Sequence, residues 1–584
     1  MTNQNPFLHF NFADKTGSIR PLTFSNPDKV IIAWKLEEVV PCLQIIERAN
    51  KEGKYAAGYI SYEAAPAFDP NLRAKSGNRM PLLWFGIFPE PDTTCKQSPE
   101  NKQFQTGMWH PDVSTEKYYK NIDKIQEYMK QGQIKQVNYT IQMAADFKGD
   151  SFAFYKQLQQ AQEATYTAYL DIGDFTILSA SPELFFRMED NKITTKPMKG
   201  TVRRGKTYQE DKEHATWLYQ SEKDRTENKL IVDVMRADLA KIAKTGTIKT
   251  TNLYEIEQYP TVYQMTSTIT ADLQNDKNIT DIFRALFPCG SITGLPKEET
   301  MQVIADLEAA PREVYCGAIG FLTPENEAIF NVPIRTVTID NQNEQATYGV
   351  GGGITPGSTK EGEYDEVLAK TKVLYTERPH FNLLETLGLF NGKYFLLENH
   401  LARLSQSAAY FNFSIDIEAI KNELLETAYR HPEHYYKVRL LVAKDGELTI
   451  DADKINHVAD EMIAALAESP IDKEDIFLYH KTTHRRVYDS HKQKQPHVSD
   501  ILLWNEYHEI TEFTTGNIVV EQDGRLITPP ITCGLLAGTF RDELVQKGIV
   551  KEKKVFLHEL KACSKIWYVN SVRKWIAVVL EKVK

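Results

Sequence analysis

The sequence lacks the features of a disulfide-rich, a membrane-spanning or a nucleic-acid-binding protein. Its 584 residues include only six cysteines and no Cys-x-x-Cys pair, so we expect a reducing compartment, the cytoplasm. The longest apolar runs, such as Trp575–Leu580, are too short to cross a bilayer, and the first residues show no signal-peptide pattern. Acidic residues outnumber basic ones by 79 to 69, for a net charge of −10. We therefore expect neither a nucleic acid nor a membrane as a partner.

What the sequence does contain is typical of a folded protein. Apolar residues make up 42% and charged residues 25%, and the length alone admits about four domains or two large ones. An acidic chain that binds an anion must concentrate lysine, arginine, a metal ion or backbone N–H groups at one place. Such concentrations are therefore the features that indicate a site.

Two long helices and several strands are predicted in the first half. Ser221 and Asp224 form a capping box, apolar residues recur at helical spacing, and Gly246 stops the pattern, which predicts a helix over Ser221–Lys244. A second helix is predicted over Glu361–Thr376, before a proline. The other predicted elements, in which β-branched and aromatic residues alternate with polar ones, are strands at Ala168–Leu178 and Lys192–Pro197.

The pattern of elements changes once along the chain. A new strand–helix pattern begins at Leu383, which predicts a first domain over residues 1–376 and a second over residues 377–584. No Gly/Ser-rich linker separates the two. The first 109 residues offer no site that can be assigned.

One motif points to a nucleotide. Gly200–Thr207 reads GTVRRGKT and matches the P-loop pattern, in which a glycine-rich loop wraps phosphate. Two arginines stand where backbone N–H groups should approach the phosphate, and the candidate Walker B residues, Leu230–Asp233, lie within a helical pattern. A nucleotide-binding module therefore stays open only as an alternative.

Two predicted helices each carry a pair of carboxylates three residues apart. Asp224 with Glu227, and Glu363 with Glu366, each lie on one helix face at this spacing. If the two faces meet, their hard oxygen ligands suit Mg²⁺. From the spacing alone, two solvated acidic faces are the favoured interpretation.

A series of ordered motifs favours the metal site over two solvated acidic faces, because it resembles the chorismate-utilising family over most of residues 110–375. Their number and their order make the resemblance strong, and Gly200 of the apparent P-loop belongs to one of them. The motifs are Gln136–Thr140, Ser181–Glu183, Pro197–Thr201, Ile231–Asp233 with Arg236, Asp238 and Leu239, Gly294–Lys297, Tyr315–Gly320, Ile334–Thr336 and Gly351–Ile354.

The resemblance implies an α+β layered chorismate-binding fold with large antiparallel sheets and a site for chorismate and Mg²⁺. It implies that Glu227 and Glu366 bind the metal ion, with Asp224 and Glu363 in support through water. The residues that it implies for substrate binding are Tyr315, Arg335, Lys370 and, through backbone N–H groups, Gly351, Gly352 and Gly353.

Two positions distinguish the reactions within this family. Members that add water resemble one another in having a lysine where this chain has Gln136, whereas ammonia-using members have glutamine. Members that aminate C4 have a lysine in the P-x-x-G-T turn, as Lys199 here, and anthranilate-type members have alanine. The resemblance implies that Lys199 is a covalent nucleophile and that Glu183 is the general acid and base. Gln264, a further residue implied to bind the substrate, stands where the family commonly has a histidine, and glutamine cannot transfer a proton at neutral pH.

The second half offers a lysine at the end of a predicted strand and two polar turns. A strand is predicted over Ile476–His480, directly before Lys481, and His400–Leu404 lies on an amphipathic helix. The polar turns Thr514–Asn517 and Leu535–Thr539 are predicted to precede helices, whose free N–H groups suit a phosphate.

These residues resemble the fold-type IV pyridoxal-phosphate enzymes, an α/β domain. The resemblance implies that Lys481 forms the Schiff base with the cofactor, that Glu512 pairs with its pyridine nitrogen and that Arg403 binds its phosphate. The family pattern starts late in this chain, near Asn382, so a leading hairpin of the usual enzymes is missing. Whether the chain forms a homodimer therefore stays open. The further residues that it implies are Thr515, Asn517 and Thr539 near the phosphate, and Ser571 and Arg573 in the substrate pocket.

Together the two resemblances imply a bifunctional enzyme with Mg²⁺ and pyridoxal 5'-phosphate as cofactors. It would convert chorismate and ammonia to 4-amino-4-deoxychorismate, and this to 4-aminobenzoate and pyruvate, for folate synthesis. The ammonia would come from a separate glutamine amidotransferase subunit. An anthranilate-type synthase fused to an aminotransferase is the main alternative, and the nucleotide-binding module is the second.

Overall fold

A computed structural model describes residues 5–93, 103–457 and 459–581, and it divides the chain into two compact units. Unit 1 comprises Met1–Arg203 and Ala215–Arg378, and unit 2 comprises Arg204–His214 and Pro379–Lys584. The sequence pattern placed the domain boundary two residues before Arg378 and did not reveal that residues 204–214, hereafter the exchanged segment, belong to unit 2. Cys95 lies outside the described residues, and the other five cysteines are free thiols.

Unit 1 is built from twenty strands and eight helices among its described residues. Short 3₁₀ turns at Tyr62–Ala67, Gly290–Ile292 and Lys372–Tyr375 connect some of them. The strands are Phe7–Ala13 (β1), Ile19–Ser25 (β2), Lys29–Ala33 (β3), Tyr55–Ile60 (β4), Leu83–Phe88 (β5), Phe104–Thr106 (β6), His110–Pro111 (β7), Gln136–Gly149 (β8), Tyr166–Asp171 (β9), Phe175–Ser181 (β10), Leu184–Glu189 (β11), Lys192–Lys196 (β12), Met198–Arg203 (β13), Lys249–Gln258 (β14), Val262–Asp272 (β15), Gly294–Leu295 (β16), Ala318–Leu322 (β17), Ala328–Asn331 (β18), Thr336–Asp340 (β19) and Gln345–Ile354 (β20). The helices are Leu36–Lys51 (α1), Thr115–Lys130 (α2), Ser151–Gln162 (α3), Tyr208–Gln220 (α4, which begins in the exchanged segment), Glu222–Leu239 (α5), Ile279–Leu286 (α6), Lys297–Leu307 (α7) and Lys360–Thr371 (α8).

The strands of unit 1 form two antiparallel sheets of ten strands each. The first runs β16-β8-β20-β19-β10-β9-β1-β2, with β6 and β7 also paired to β8; the second runs β13-β15-β12-β11-β18-β17-β4-β5-β3, with β14 paired to β15. The sheets pack face to face through aromatic side chains, and the ring centroids of Phe10 and Phe321 lie 5.4 Å apart. Helices α1, α5 and α6 cover the outer face of the second sheet, α2, α3 and α8 cover that of the first, and α7 contacts β8 and β16 of the first sheet. The predicted layered fold with large antiparallel sheets is confirmed.

The predicted elements of unit 1 fall close to the observed ones, with two differences. The predicted helix over 221–244 is α5, and Ser221 Oγ accepts a hydrogen bond from the backbone N–H of Asp224, as expected. The Asp224 carboxylate accepts from the Ser221 hydroxyl instead of closing the other half of a capping box. The segment 168–178 is two strands, β9 and β10, because a turn that contains Gly173 at a φ of +96° reverses the chain.

Unit 2 has two sheets and four helices among its described residues. Its 3₁₀ turns are Ile476–Leu478, Ile531–Cys533 and Leu557–Ala562. Its strands are Leu383–Phe390 (β21), Lys393–Tyr394 (β22), Tyr435–Val442 (β23), Leu448–Lys454 (β24), Glu461–Leu466 (β25), Asp500–Trp504 (β26), Ile510–Phe513 (β27), Gly516–Gln522 (β28), Arg525–Thr528 (β29), Lys551–Glu552 (β30), Lys565–Asn570 (β31) and Lys574–Leu580 (β32), and its helices are Leu397–Phe411 (α9), Ile417–Arg430 (α10), Arg486–Lys494 (α11) and Thr539–Gln546 (α12).

The two sheets of unit 2 divide it into two lobes. The smaller sheet runs β22-β21-β23-β24 and is covered by α9 and α10, whose leucines pack on it. The larger sheet runs β27-β26-β25-β32-β31-β28-β29-β30, and an additional pairing of β27 with β28 closes six strands into a ring. Within the described part of the chain, no helix of either unit is both long and apolar enough to cross a membrane.

Candidate active sites

The first candidate site lies in unit 1, where Lys199 on β13 approaches the end of β20. A Cβ atom added to Gly353 would lie 2.5 Å from Lys199 Nζ and 3.0 Å from Gln136 Nε2. A Cβ atom has no room at 2.5 Å from another heavy atom and is crowded at 3.0 Å, so the amine and the amide lie in space that a glycine leaves open. The structure therefore brings together Lys199, Gln136 and the glycine run of β20.

The four predicted carboxylates flank this position from two helices. On α5, Glu227 Oε2 lies 3.9 Å from Lys199 Nζ, and Asp224 lies against Gly200, which has a φ of +99°. On α8, Glu363 Oε2 and Glu366 Oε1 lie 3.2 and 3.3 Å from the place where a Cβ of Gly352 would be.

The electrostatic state of the α8 carboxylates reflects their crowding. Burial raises the pKa of Glu363, and the nearby charge of Glu366 adds to this, although a hydrogen bond from Ser358 opposes it. Burial also disfavours the charged form of Glu366, but the ammonium group of Lys370 holds its pKa below the usual range. Among the described residues, no group of three or more His, Cys, Asp or Glu side chains is arranged to hold a metal ion. The donor set nevertheless fits Mg²⁺ in chemistry, since it consists of carboxylates alone.

The predicted substrate anchors surround the same glycine run. Lys370 Nζ donates to the carbonyl oxygen of Gly351 at 2.9 Å and pairs with Glu366. Arg335 Nη1 donates to the carbonyl oxygen of Lys370 at 3.1 Å. The buried ring of Tyr315 lies against Gly349, where a Cβ atom would come within 2.4 Å of it. Two cationic side chains and one phenol are thus held beside the residues expected to bind an anion.

Glu183 is a fully enclosed carboxyl group next to Lys199 in this site. Burial raises its pKa to about 7, although a hydrogen bond from Ser291 and the charge of Lys199 both oppose the shift. Ser291 Oγ donates to Glu183 Oε1 at 2.6 Å. A carboxyl group with this pKa is present in both protonation states near neutral pH, which suits a general acid and base.

Gln264 supports the turn that carries Lys199. Its Nε2 donates to the carbonyl oxygen of Gly200 at 2.8 Å, and its Oε1 accepts from Thr201 Oγ1 at 2.8 Å. Both polar ends of the side chain are therefore occupied by β13, whereas the sequence predicted that Gln264 binds substrate.

Three residues that sequence reasoning missed fix the frame of this site. Arg312 Nη2 donates to the carbonyl oxygen of Asn138 at 2.7 Å, and its guanidinium pairs with Glu308 at 2.7 Å. Glu308 Oε1 in turn accepts from the backbone N–H of Thr140 at 2.9 Å. The third residue is Ser291, the partner of Glu183. No sequence signal marked Glu308 or Arg312, because their pairing at i and i+4 is a common surface pattern.

The apparent P-loop has a different geometry from a phosphate-binding loop. Residues 200–203 continue β13, which is antiparallel to β15. The backbone N–H of Gly205 donates to the Asp211 carboxylate at 2.9 Å, and that of Lys206 donates to the Glu210 carboxylate at 2.9 Å. The groups that would hold a phosphate are thus bound to acidic side chains of the chain itself.

The second candidate site lies in unit 2 around Lys481. Burial lowers the pKa of Lys481 to about 8, and the positive charges of Arg403 and Arg485 lower it further. The carbonyl oxygen of Lys481 accepts from the backbone N–H of Leu384 at 3.0 Å, which ties it to the start of β21. The predicted strand over 476–480 is wrong: Ile476–Leu478 is a 3₁₀ turn, begun by the side chain of Asp475, which accepts from Phe477 N.

Glu512 on β27 is the buried acid of this second site. Burial raises its pKa to about 7, against the hydrogen bonds that it accepts. Its carboxylate accepts from Tyr488 Oη at 2.8 Å, from Asn517 Nδ2 at 3.1 Å and from Leu536 N at 3.1 Å. Tyr488 was not predicted from the sequence, and an aromatic residue on an amphipathic helix gives no signal that separates it from a core residue.

Arg403 is held by the protein rather than free to bind a ligand with all its donors. Its Nε and Nη2 donate to the carboxylate of Glu385 at 2.9 and 2.7 Å, and its Nη1 donates to the carbonyl oxygen of Ala537 at 2.9 Å. His400 Nδ1 lies 2.6 Å from the same carboxylate. Burial opposes ionisation of Glu385, yet the charges of Arg403 and His400 hold its pKa at about 2. Glu385 is a site residue that the sequence did not reveal.

The three residues predicted near a phosphate occupy two different settings. Thr539 is the first residue of α12, where free backbone N–H groups are available, and its Oγ1 lies 3.1 Å from His400 Nε2. Asn517 Nδ2 also donates to the carbonyl oxygen of Leu536 at 2.9 Å. Thr515 bonds Asp500 and lies 3.0 Å from Tyr568 Oη. The prediction of a helix after the turn at 514–517 is wrong, because this turn is a hairpin between β27 and β28.

Ser571 and Arg573 follow β31, near the middle of β21. Ser571 Oγ donates to the carbonyl oxygen of Thr386 at 3.3 Å. The Arg573 side chain is exposed, and its backbone N–H donates to Asn570 Oδ1 at 2.7 Å. The prediction that these two residues line a substrate pocket remains a prediction.

Comparison with known proteins finds one family model that matches each half. Residues 6–376 match the chorismate binding enzyme family, and residues 382–580 match amino-transferase class IV. The second match confirms the predicted fold class of the second half. Aminodeoxychorismate synthase component 1 of Escherichia coli (strain K12) is 38% identical over 273 residues, which are 47% of this chain and 60% of that protein.

Two other similar proteins are anthranilate synthases. Component 1 of Aquifex aeolicus (strain VF5) is 32% identical over 266 residues, which are 46% of this chain and 53% of that protein. The crystal structure of component I from Streptococcus pneumoniae TIGR4 has a TM-score of 0.52 and 21% identity, and covers 64% of this chain and 93% of that chain. This structural likeness shows the fold alone. Of the two curated relatives, from E. coli and A. aeolicus, the chain spans only 60% and 53% of the length.

Proposed function

The chain belongs to the chorismate binding enzyme family, and from that premise we propose that it makes 4-aminobenzoate from chorismate in two steps. Unit 1 would aminate chorismate at C4 to give 4-amino-4-deoxychorismate. Unit 2 would convert this product to 4-aminobenzoate and pyruvate. The observation that carries the proposal is the position of Lys199, whose amine lies beside Gln136 and Gly353 within the group of predicted substrate anchors.

The first reaction would use Lys199 as a nucleophile. Its neutral amine attacks C2 of chorismate while the C4 hydroxyl leaves as water, with a proton from Glu183. Ammonia then bonds to C4 and expels the lysine amine from C2, and the ionised Glu183 takes the proton that the new amine loses. The balance is chorismate plus ammonia to 4-amino-4-deoxychorismate plus water. The pKa of Glu183 near 7 supports both proton transfers.

The carboxylates of α5 and α8 would hold Mg²⁺ in this site. Glu227 and Glu366 are the proposed ligands, with Asp224 and Glu363 bound through water, and the metal would supply a Lewis acid at the ring carboxylate. Lys370 and Arg335 would bind the remaining negative charge of the substrate, aided by the phenol of Tyr315. The N–H groups of Gly351, Gly352 and Gly353 would hold the enolpyruvyl carboxylate.

The second reaction would use Lys481 as the proton carrier. Lys481 takes the proton from C4, the ring carbon–oxygen bond breaks, and the enolpyruvyl group gains a proton at its methylene carbon and leaves as pyruvate. Pyridoxal phosphate, when bound, supplies an electron sink at the ring nitrogen. Glu512 would hold the proton at that nitrogen, and Thr539, Thr515 and Asn517 would surround the phosphate.

The buried lysine supports the assignment of the cofactor. Burial and two nearby arginines lower the pKa of Lys481 to about 8, so a useful fraction of its amine is neutral at pH 7. The N-terminus of α12 offers N–H groups to a phosphate. Arg403 would contribute its charge to the phosphate while Glu385 keeps it in place.

The ammonia would come from a separate glutamine amidotransferase subunit. The E. coli relative is a component 1, and its name supports a partner for this chain as well. The five described cysteines are free thiols, which supports the expected reducing compartment, the cytoplasm.

Product analysis tests the proposal directly. Purified protein with chorismate, ammonium sulfate, Mg²⁺ and pyridoxal phosphate should yield 4-aminobenzoate and pyruvate in equal amounts. Glutamine in place of ammonium should yield neither. Formation of 2-aminobenzoate would instead establish an anthranilate-type synthase, and consumption of an added keto acid would establish an aminotransferase in unit 2.

A further inference from the structure

The exchanged segment, residues 204–214, is closed on itself by a buried ion pair. Arg204 Nε and Nη2 donate to Asp211 Oδ1 and Oδ2, each at 2.6 Å, and the two side chains are only 5% and 3% exposed. The backbone N–H of Gly205 donates to the same carboxylate at 2.9 Å. Parallel bonds of this kind fix geometry as well as contribute energy, so the loop has one defined shape.

This loop is bonded to helix α9 through Tyr410. Arg204 Nη2 donates to the carbonyl oxygen of Tyr410 at 2.8 Å, and the guanidinium carbon lies 4.4 Å from the centre of the tyrosine ring. In the other direction, the Tyr410 hydroxyl donates to the carbonyl oxygen of Gly205 at 2.7 Å. Helix α9 also carries His400 and Arg403, so the loop holds an element of the second candidate site.

The loop also contacts His480, the residue directly before Lys481. His480 Nε2 lies 3.1 Å from the carbonyl oxygen of Lys206, and Nδ1 lies 3.1 Å from Ser407 Oγ. A carbonyl oxygen only accepts, so Nε2 carries the proton and Nδ1 accepts from the serine hydroxyl. Burial lowers the pKa of His480 to about 4, which keeps the ring neutral and this tautomer fixed at neutral pH.

The His480 ring is fixed from its face as well as its edges. Its centroid lies 4.2 Å from that of Tyr410, with the two planes 32° apart. Two hydrogen bonds and a tilted aromatic neighbour restrict the orientation of the ring. Since one peptide bond joins His480 to Lys481, the ring also determines how the backbone enters Lys481, whose carbonyl is bonded to β21.

We propose that residues 204–214 are a positioning element for Lys481, acting through the ring of His480 and through helix α9. The proposal rests on the assignment of Lys481 as the cofactor lysine of unit 2. A displacement of a reacting group by about 1 Å can reduce a rate about a hundredfold, so precise support of this lysine has a direct catalytic value. The segment begins within the apparent P-loop, Gly200–Thr207, whose phosphate-binding interpretation fails.

The reactivity of Lys481 in the cofactor-free protein tests the proposal. His480→Phe keeps an aromatic ring beside Tyr410 but removes both hydrogen bonds. We expect Lys481 to relax toward water, its pKa to rise by about one unit, and its labelling by an amine-reactive reagent at pH 8 to slow about fivefold. His480→Gln retains a donor for the Lys206 carbonyl and should restore at least half of the wild-type rate. Labelling of Lys481 is read by mass spectrometry of its peptide.

A second variant and a control keep the test decisive. Arg204→Lys keeps the charge but loses the forked pairing with Asp211, so it should slow labelling of Lys481 in the same direction. Gln209→Ala, which removes an exposed side chain of the same segment, should not change it. If His480→Phe does not fold by circular dichroism, Arg204→Lys alone decides the outcome.

The failure of this inference can be told from a failure of the proposed function. Wild-type protein that gains no visible absorbance with pyridoxal phosphate would refute the assignment of unit 2. The positioning role alone would be overturned by a different result. In that case the wild-type protein binds the cofactor, and the labelling rate of Lys481 is unchanged in both His480→Phe and Arg204→Lys.

Discussion

At the scale of single residues, three buried glutamates show how surroundings determine ionisation. Burial raises the pKa of Glu183 and of Glu512 to about 7. Glu385 is as deeply buried, yet Arg403 and His400 hold its pKa at about 2. The first two carboxyl groups can exchange protons near neutral pH, whereas Glu385 is a permanent anion that positions cations.

The pH dependence of the first reaction should report Glu183. Because its pKa is raised from 4.5 to about 7, the group is protonated below pH 7 and loses its proton above it. If proton donation to the leaving hydroxyl limits the rate, the rate should fall about tenfold per pH unit above about 7. Glu183→Gln should lower the rate by about 10²–10⁴-fold and abolish this limb. The measurement is 4-amino-4-deoxychorismate formation with a constant concentration of free ammonia. A variant with the same falling limb would contradict the role of Glu183.

The pH dependence of cofactor capture should report Lys481. Only the neutral amine reacts with the cofactor's carbonyl group, and its pKa is lowered from 10.5 to about 8. The rate of visible absorbance gain should therefore rise with pH and level off above about pH 8. Lys481→Arg should show no such absorbance. Lys561→Ala, at an exposed position, serves as the control, and a midpoint near 10 would show that Lys481 is not desolvated.

At the scale of elements, strand β8 owes its position to a buried ion pair. Arg312 and Glu308 are 2% and 4% exposed, and between them they bond Asn138 and Thr140 of β8. The same strand carries Gln136 at its first residue and pairs with the glycine run of β20. The buried pair therefore supports the strand that carries Gln136 into the first site.

Removing one member of this pair should destabilise unit 1. Arg312→Met leaves Glu308 buried without its cation, and we expect a loss of roughly 3–5 kcal/mol in the free energy of unfolding. Arg73→Met is a matched control, because its pair with Asp306 is 57% and 47% exposed and should contribute about 0–1 kcal/mol. Urea unfolding followed by tryptophan fluorescence measures both. Equal losses in the two variants would contradict the structural role of Arg312.

The sequence predicted the elements and motifs of unit 1 better than it predicted the contacts that support them. Helix α5 was predicted from the Ser221 cap, which is local chemistry, and the layered sheets followed from the family motifs. Ser291 and Glu385 were missed because they act on residues 108 and 18 positions away, a pairing that only the fold creates. The turn at 476–478 was taken for a strand because an apolar run of this length does not distinguish the two.

At the scale of the whole molecule, the proposed function joins two chemically successive reactions in one chain. The product proposed for unit 1 is the substrate proposed for unit 2, and each proposed reaction uses its own lysine. The net charge of −10 includes carboxylates proposed to hold a metal ion and a pyridine nitrogen. The acidic balance is thus compatible with anionic substrates.

Single variants should separate the two reactions. Lys481→Ala should accumulate 4-amino-4-deoxychorismate from chorismate and ammonium and form no 4-aminobenzoate. Lys199→Ala should form no product from chorismate, yet it should still convert added 4-amino-4-deoxychorismate to 4-aminobenzoate and pyruvate. A mixture of the two variants should form 4-aminobenzoate from chorismate, with the intermediate measured by chromatography. Full activity of Lys199→Ala with chorismate would contradict the nucleophile assignment.

The exchanged segment has a consequence for the order in which the protein matures on the ribosome. Residues 204–214 are synthesised before the 164 residues Ala215–Arg378, and the rest of unit 2 follows only after these. At about 5–20 residues per second, the segment waits roughly ten to thirty seconds for Pro379 to be made. The Arg204–Asp211 pair is local in sequence and can form during this wait, whereas the Lys206 carbonyl meets its His480 partner only near the end of translation. The second unit therefore completes its folding last, whereas the loop that supports it can form well before that.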